Sequence, residues 1–193
     1  MCDVPSESCI DGFDGHVYQV KSDIMLRPLT EEDASESLEV VNKNRDRLAK
    51  WLPWVEGTNN VKDEIQYIRE ARNSIMHGEK LEMGLFYKSN SEKNEAKLIG
   101  ACGFVKIQGK TGQLGYWLDE DYMGQGIVTD SCKTLIDVGV NFLGLKTIEI
   151  VVQPNNVQSI HVAKRLGFET NSEPCTTDCY GKKTKAITFK IEK

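Results

Sequence analysis

Apolar positions along this chain switch repeatedly between a period of two and a period near 3.6, which sets an order of strands and helices. VYQV and IMLRPL, from Val17, read as a first strand. Thr30 with Asp33 then makes a helix start, the hydroxyl able to cap free amides and the acid suited to the positive helix end. Leu38, Val41, Asn44, Leu48 and Leu52 follow at helical steps, so a helix is predicted to about Ala49, stopped by Pro53 in the turn-rich stretch WLPWVEGTNN. A second helix is predicted from about Val61 to His77. MGLFYK, KLIGACGFVKI and TGQLGYWLDE read as antiparallel strands, the glycines of the second suggesting bends or bulges and SNSEKNEAK a charged hairpin loop. YMGQGIVTDSCKTLIDVGVNFLG is a glycine turn leading into an amphipathic helix. KTIEIVVQ, NNVQSIHVAKRL, GFETN and KAITFKIE then give strand, helix, strand and strand. This order predicts a mixed α/β sheet with helices on both faces.

Residues 1–16 are polar, rich in Gly, Asp and Ser and without hydrophobic period, so they read as a loose extension and 17–193 as one domain. At 193 residues and 39% hydrophobic content such a domain buries a full core without needing a metal or disulfides. The cysteines are scattered, with no CxxC pair and no histidines at zinc spacing, which fits free thiols in a reducing cytoplasm and no metal. No run approaches the roughly 20 apolar residues of a membrane span, and the acidic start lacks a signal pattern. The expected location is therefore cytoplasmic. A net charge of −5 disfavours nucleic acid and mildly favours cationic partners.

The segment GYWLDEDYMGQGIVTDS carries the clearest chemistry. Gly124 and Gly126 allow a ligand close to the backbone, and the amides from 124 to 129 are left at a positive helix end, a nest suited to a pyrophosphate. The chain has neither the Rossmann GxGxxG nor the Walker GK[ST] at this place, which argues against dinucleotides and nucleoside triphosphates. A simple strand-to-helix turn is the alternative.

YMGQGIVTDS resembles the coenzyme A pyrophosphate loop of the GNAT acetyltransferases, [Q/R]-x-x-G-x-[G/A], read here as Met123, Gly124, Gln125, Gly126, Ile127 and Val128. Met123 and Val128 depart from the pattern. The resemblance assigns the phosphate contacts mainly to backbone, which a changed side chain leaves in place. PNNVQSIHVAKRLGF is similar to the family's second block through Asn156, Ser159, Val162, Arg165, Leu166, Gly167 and Phe168. RLAKWLPW resembles a stretch of the RimJ/RimL branch, whose members acetylate N-terminal amines of ribosomal proteins and, in other cases, polyamines, sugars or antibiotics.

The resemblance implies a GNAT fold: a mixed, mostly antiparallel central sheet of about seven strands, splayed where the pantetheine arm of acetyl-CoA inserts. Tyr116, Trp117 and Leu118 would pair with that arm by backbone. Met123, Gly124, Gln125, Gly126, Ile127, Val128 and Thr129 would hold the pyrophosphate, and Asn156 and Ser159 would complete the cofactor site. The implied activity is acetyl transfer to a primary amine by direct attack, with a protein N-terminus as acceptor. A small-molecule acetyltransferase and a non-catalytic acetyl-CoA-binding module are the alternatives. The family often pairs C-terminal strands between subunits, so a homodimer stays open.

Acetyl transfer needs a neutral amine, a donor for the developing oxyanion and a proton for the thiolate. The family's usual tyrosine donor falls here on Ala163, which leaves Ser159, whose alternative is a first-turn capping role. Asn156 has the matching alternative of an N-cap. The branch's usual glutamate falls on Gln113, which cannot take a proton but can orient a water. Glu149 on the next strand and Asp178 in TTDCYG, read as a loop beside the acceptor tunnel, are the other candidate bases. Trp51, Trp54 and Tyr180 are candidate walls of the acceptor site, with core packing as the alternative.

Overall fold

The computed structural model describes residues 15–88, 96–170, 173–179 and 182–193. Of the extension expected over 1–16, positions 1–14 lie outside these residues, as does Tyr180.

The first apolar run forms two strands rather than one: β1 (Tyr18–Lys21) and β2 (Ile24–Arg27) pair antiparallel. Polar Ser22 and Asp23 interrupt the run and supply the turn, and Ile24 and Leu26 then bury alternate positions of β2.

The helix expected from Thr30 to Ala49 is divided. After a 3-10 turn at Glu31–Asp33, α1 spans Ala34–Lys43 and a single turn, α2, spans Arg45–Leu48. At the start, the Thr30 amide and hydroxyl both donate to the Asp33 carboxylate (2.7 and 3.0 Å), which also takes a two-pronged contact from Arg27. The break falls at Asn44, which is buried: its side chain donates to Val40 O and Asp119 Oδ1 and accepts from the Glu120 amide. Helical spacing counted Asn44 as one more inward position. It faces inward to hold the 119–120 turn.

Next come α3 (Val61–Met76), capped by Asn60, and three long antiparallel strands, β3 (Leu81–Lys88), β4 (Ala96–Gln108) and β5 (Thr111–Leu118). β4 bulges where the register against its neighbours shifts, opposite Leu85 and Phe86 and again between Phe104 and Lys106. The chain ends with α4 (Ile127–Asn141), β6 (Thr147–Val152), α5 (Val157–Arg165), β7 (Cys175–Cys179) and β8 (Lys182–Glu192).

The described residues form one mixed sheet of eight strands, ordered β1-β2-β3-β4-β5-β6-β8-β7. The expected count of about seven falls short because the first strand is two. Residues 176–179 of TTDCYG, read as loop, lie in β7 and pair with β8, whereas GFETN makes only an isolated bridge, Glu169 with Lys190.

Helices cover both faces. On one, Ile127, Cys132, Leu135 and Val138 of α4 and Ala163 of α5 share a core with Leu81, Met83, Phe104 and Leu114. On the other, Ala34 and Ile68 pack on Phe86 and Leu98. Phe104 is fully enclosed, so Phe104→Ala would cost about 3–5 kcal/mol of stability. No helix among the described residues is long and apolar enough to cross a membrane.

β5 and β6 run parallel but pair only from Thr111–Gln113 against Thr147–Glu149. Beyond Gln113 they separate. β5 from Leu114 to Leu118 stays bonded to β4 on one side, while its other edge has no strand beside it. That opening fixes the site.

Candidate active site

The parted strands make a cleft of about 370 Å³ with Gln113 at its vertex. Backbone polar groups along an unpaired strand edge must find partners in solvent or a ligand, so an extended chain bearing amides suits this edge. Tyr116, Trp117 and Leu118 line it from β5.

At the wide end stands the N-terminus of α4. Gly126 is its N-cap, with φ 75°, and Gly124 has φ 78°, both in the left-handed region that favours glycine. A Cβ at Gly124 would meet no protein atom within 4 Å, so this loop leaves its outer side clear for a ligand. No side chain caps α4, and its first intrahelical amide bond is Asp130 N to Gly126 O, which leaves the amides of Ile127, Val128 and Thr129 for an anion. Those three residues, with Met123, Gly124 and Gly126, line the cleft. Gln125 does not. Its carbonyl instead accepts from Lys21 Nζ at 3.0 Å, and the same ammonium lies 3.0 Å from Asp130 Oδ2. Lys21 and Lys133 hold the Asp130 carboxyl below the usual aspartate range, Lys21 by its hydrogen bond chiefly, and offset the anion in this first turn. Nothing in the spacing near Lys21 pointed across the sheet to residue 125.

The entrance to the loop is braced from α1 and α2. Burial alone would raise the Asp119 carboxyl, but Lys43 (2.8 Å) and Asn44 (3.0 Å) more than offset this and hold it low. Arg47 lines the cleft and donates to Leu118 O at 2.6 Å, while its Nε is buried without a hydrogen-bond partner. Arg47 was visible in the sequence as the first residue of RLAKWLPW.

Opposite β5, α5 begins. Asn156 Oδ1 accepts the Ser159 amide at 3.2 Å, so Asn156 is the N-cap, and both residues line the cleft. Ser159 Oγ lies 2.7 Å from the Tyr116 hydroxyl. Burial raises that phenol above the usual tyrosine range, against the lowering effect of the Ser159 bond, so it keeps its proton near neutral pH. The pair can donate a proton to a leaving group at the mid-cleft. Sequence reasoning placed Tyr116 here only through its backbone.

The remaining candidates divide. Gln113 lines the cleft. Glu149, its partner in register, does not: its carboxylate is paired with Lys190 on β8 at 2.7 Å. Asp178 falls within β7, paired in register with Lys183. Trp51 lines the cleft, whereas Trp54 lies in a second cavity against Trp117, ring centres 6.2 Å apart. Cys132 is buried 3.7 Å from Cys102 in the core. Among the described residues no cluster of three or more side chains could hold a metal ion.

This geometry coincides with a known family. Residues 23–169 match the family described as acetyltransferase (GNAT) domain. The chain belongs to the GNAT acetyltransferase family. Among curated GNAT relatives it is 30% identical over 149 residues to the probable N-acetyltransferase YjcK of Bacillus subtilis (strain 168), covering 75% of this chain and 80% of that protein. It is 28% identical over 152 residues to the ribosomal-protein-serine acetyltransferase of Escherichia coli (strain K12), covering 78% and 81%. Among solved structures, the ribosomal L7/L12 alpha-N-protein acetyltransferase RimL in complex with coenzyme A superposes with a TM-score of 0.82 at 20% identity. That match spans 92% of this chain and 98% of RimL and shows a shared fold.

Proposed function

We propose that this acetyltransferase moves the acetyl group of acetyl-CoA to the α-amine of a protein N-terminus by direct attack. The observation that carries the reading is the parting of β5 from β6 directly beside the left-handed glycine loop and the uncapped start of α4. An open strand edge suits the amide-bearing pantetheine arm, and the free amides suit a pyrophosphate. When bound, acetyl-CoA supplies an activated thioester.

The chain's own residues supply the rest. Residues 114–118 orient the arm along the strand edge, and Gly124, Gly126, Ile127, Val128 and Thr129 hold the phosphates by backbone. The Tyr116–Ser159 pair sits beside the cleft with a proton to give to the departing sulfur. An α-amine has a pKa of about 7.7–8.0 against about 10.4 for lysine, so it demands less of a base. The kinship with a ribosomal-protein-serine acetyltransferase supports the same acceptor class. A second cavity, described below, carries Glu64, Glu82 and Glu70 and favours a cationic acceptor, which also fits a small polyamine.

The deciding experiment supplies acetyl-CoA with a peptide bearing a free N-terminal serine, the same peptide N-terminally blocked but carrying lysine, and spermidine. The expected result is free thiol and acetylated product with the first peptide well ahead of the others. Equal rates on the blocked peptide would contradict the α-amine assignment, and preference for spermidine would establish the small-amine reading.

A further inference from the structure

A cavity of about 460 Å³ lies on the face of the sheet covered by α1 and α3. It shares Leu52, Gly115, Tyr116 and Trp117 with the cleft, so β5 is a common wall between the two. Three residues align across this face. Glu82 of β3 is in register with Gly103 of β4, which is in register with Gly115 of β5. Paired residues of antiparallel strands present their side-chain positions to the same face. Two strand spacings, about 10 Å, therefore separate Glu82 from the open β5 edge with no side chain between. A Cβ at Gly103 would stand 2.3 Å from Leu81 O, so the lane cannot be filled there without moving β3.

The carboxylate at the end of this lane is ion-paired only at length: its Oε2 is buried, lies 3.4 Å from Lys80 Nζ and makes no hydrogen bond of ordinary geometry. Glu64, the other buried carboxylate of the cavity, instead accepts Ser37 Oγ at 3.0 Å. Aromatic Trp54, Tyr67 and Trp117 line the same space, surfaces that favour a cationic guest.

We propose that the second cavity receives the acceptor and that Glu82 takes the proton from its ammonium group. The inference rests on the acetyl-transfer reading above and supplies the base that Gln113 cannot be and that Glu149, tied to Lys190, does not offer to the cleft. The acceptor ammonium gives one proton to the Glu82 carboxylate. The freed lone pair forms the N–C bond at the thioester carbonyl, and the C–S bond breaks with its electrons going to sulfur. The nitrogen's second proton leaves to solvent as the amide forms, and solvent restores to the Tyr116–Ser159 pair the proton that it gives the thiolate. Glu82 returns its proton to solvent. Burial pushes the Glu82 carboxyl above the usual glutamate range, opposed by Lys80 and the Tyr67 hydroxyl, which suits a proton acceptor. Asp63, Glu64 and Glu70 of α3 are the other charged groups lining the cavity.

The test compares wild type with Glu82→Gln across pH, using the peptide with a free N-terminal serine and measuring acetyl-CoA affinity and melting temperature alongside. Glu82→Gln should keep acetyl-CoA affinity and melting temperature while kcat/KM falls about 100-fold at neutral pH, the gap closing as alkaline pH deprotonates the amine unaided. A variant matching wild type at every pH would overturn the inference and leave acetyl transfer standing. A parallel titration follows the Glu82 carboxyl carbon by NMR in the unmutated chain without acetyl-CoA, adding the free or the N-blocked peptide. Movement with the free peptide alone supports the assignment. No movement overturns it, even where no peptide is acetylated and the functional reading has failed separately.

Discussion

The two sides of β5 are built on opposite principles. On the cleft side, recognition is assigned to backbone: an unpaired strand edge, two left-handed glycines and the first amides of α4, all within residues 114–129. On the other side, the second cavity is lined from α1, the 52–58 segment, α3 and β3 to β5, with carboxylates and tryptophans far apart in sequence. A backbone site reads a group common to every turnover and tolerates side-chain change, as Met123 and Val128 illustrate. A side-chain site can be retuned one residue at a time, which on the proposed reading makes that side the one that sets acceptor preference.

The contrast breaks most sharply at the point where the cleft does depend on side chains. Ser159→Ala with Tyr116→Phe should lower kcat about 100-fold, and each single change nearly as much, with acetyl-CoA affinity held, because the proton is needed only as charge develops on sulfur. Singles whose losses multiply in the double variant would show that the two hydroxyls act independently rather than as the pair seen at 2.7 Å. Gly126→Val comes next. A branched residue at φ 75° is strained, and its Cβ finds only Asp130 and Lys21 atoms at 3.7 and 3.8 Å, so the rest of the side chain intrudes on ligand space. Calorimetry should show coenzyme A affinity falling more than tenfold, above about 1.4 kcal/mol. Unchanged affinity in a folded variant would remove the loop from the cofactor site.

On the opposite side, Trp54→Ala should raise KM for the peptide by roughly fivefold, about 1 kcal/mol of lost aromatic contact, while acetyl-CoA affinity stays constant. A change in acetyl-CoA affinity instead would mean that the two sides are not separable. The smallest effect belongs to Glu149→Gln. With Glu149 paired to Lys190 outside the cleft, kcat should keep its pH profile, and the thermal midpoint should move little. A flattened profile would return Glu149 to the list of bases.

This division also explains what the sequence disclosed. Most of the strand order, the glycine turn and the second block were legible because each is a contiguous run with its own period or turn chemistry, while the split of the first strand and the strand at 175–179 were not. The divided helix was not: Asn44 occupies a position that periodicity counts as core, and its purpose appears only with Asp119 beside it. Lys21 reaches Gln125, Tyr116 reaches Ser159 and Glu82 faces two glycines on neighbouring strands. The last depends on strand register and the first two on how a strand meets a loop or helix distant in sequence, none of which the linear chain displays. The candidate bases therefore lie near the motifs, and Glu82, just before the MGLFYK run and in no recognised motif, is not among them.

In the proposed reaction donor and acceptor approach from opposite sides of β5 and meet beside Gly115, which lines both cavities. A conjugate joining coenzyme A through an acetyl bridge to the N-terminus of the serine peptide tests it directly, with affinity measured by calorimetry against wild type and Trp54→Ala. The conjugate should bind wild type more tightly than acetyl-CoA does, with Trp54→Ala erasing much of the gain and leaving acetyl-CoA binding intact. Equal affinity for conjugate and acetyl-CoA, or a gain indifferent to Trp54, would contradict it.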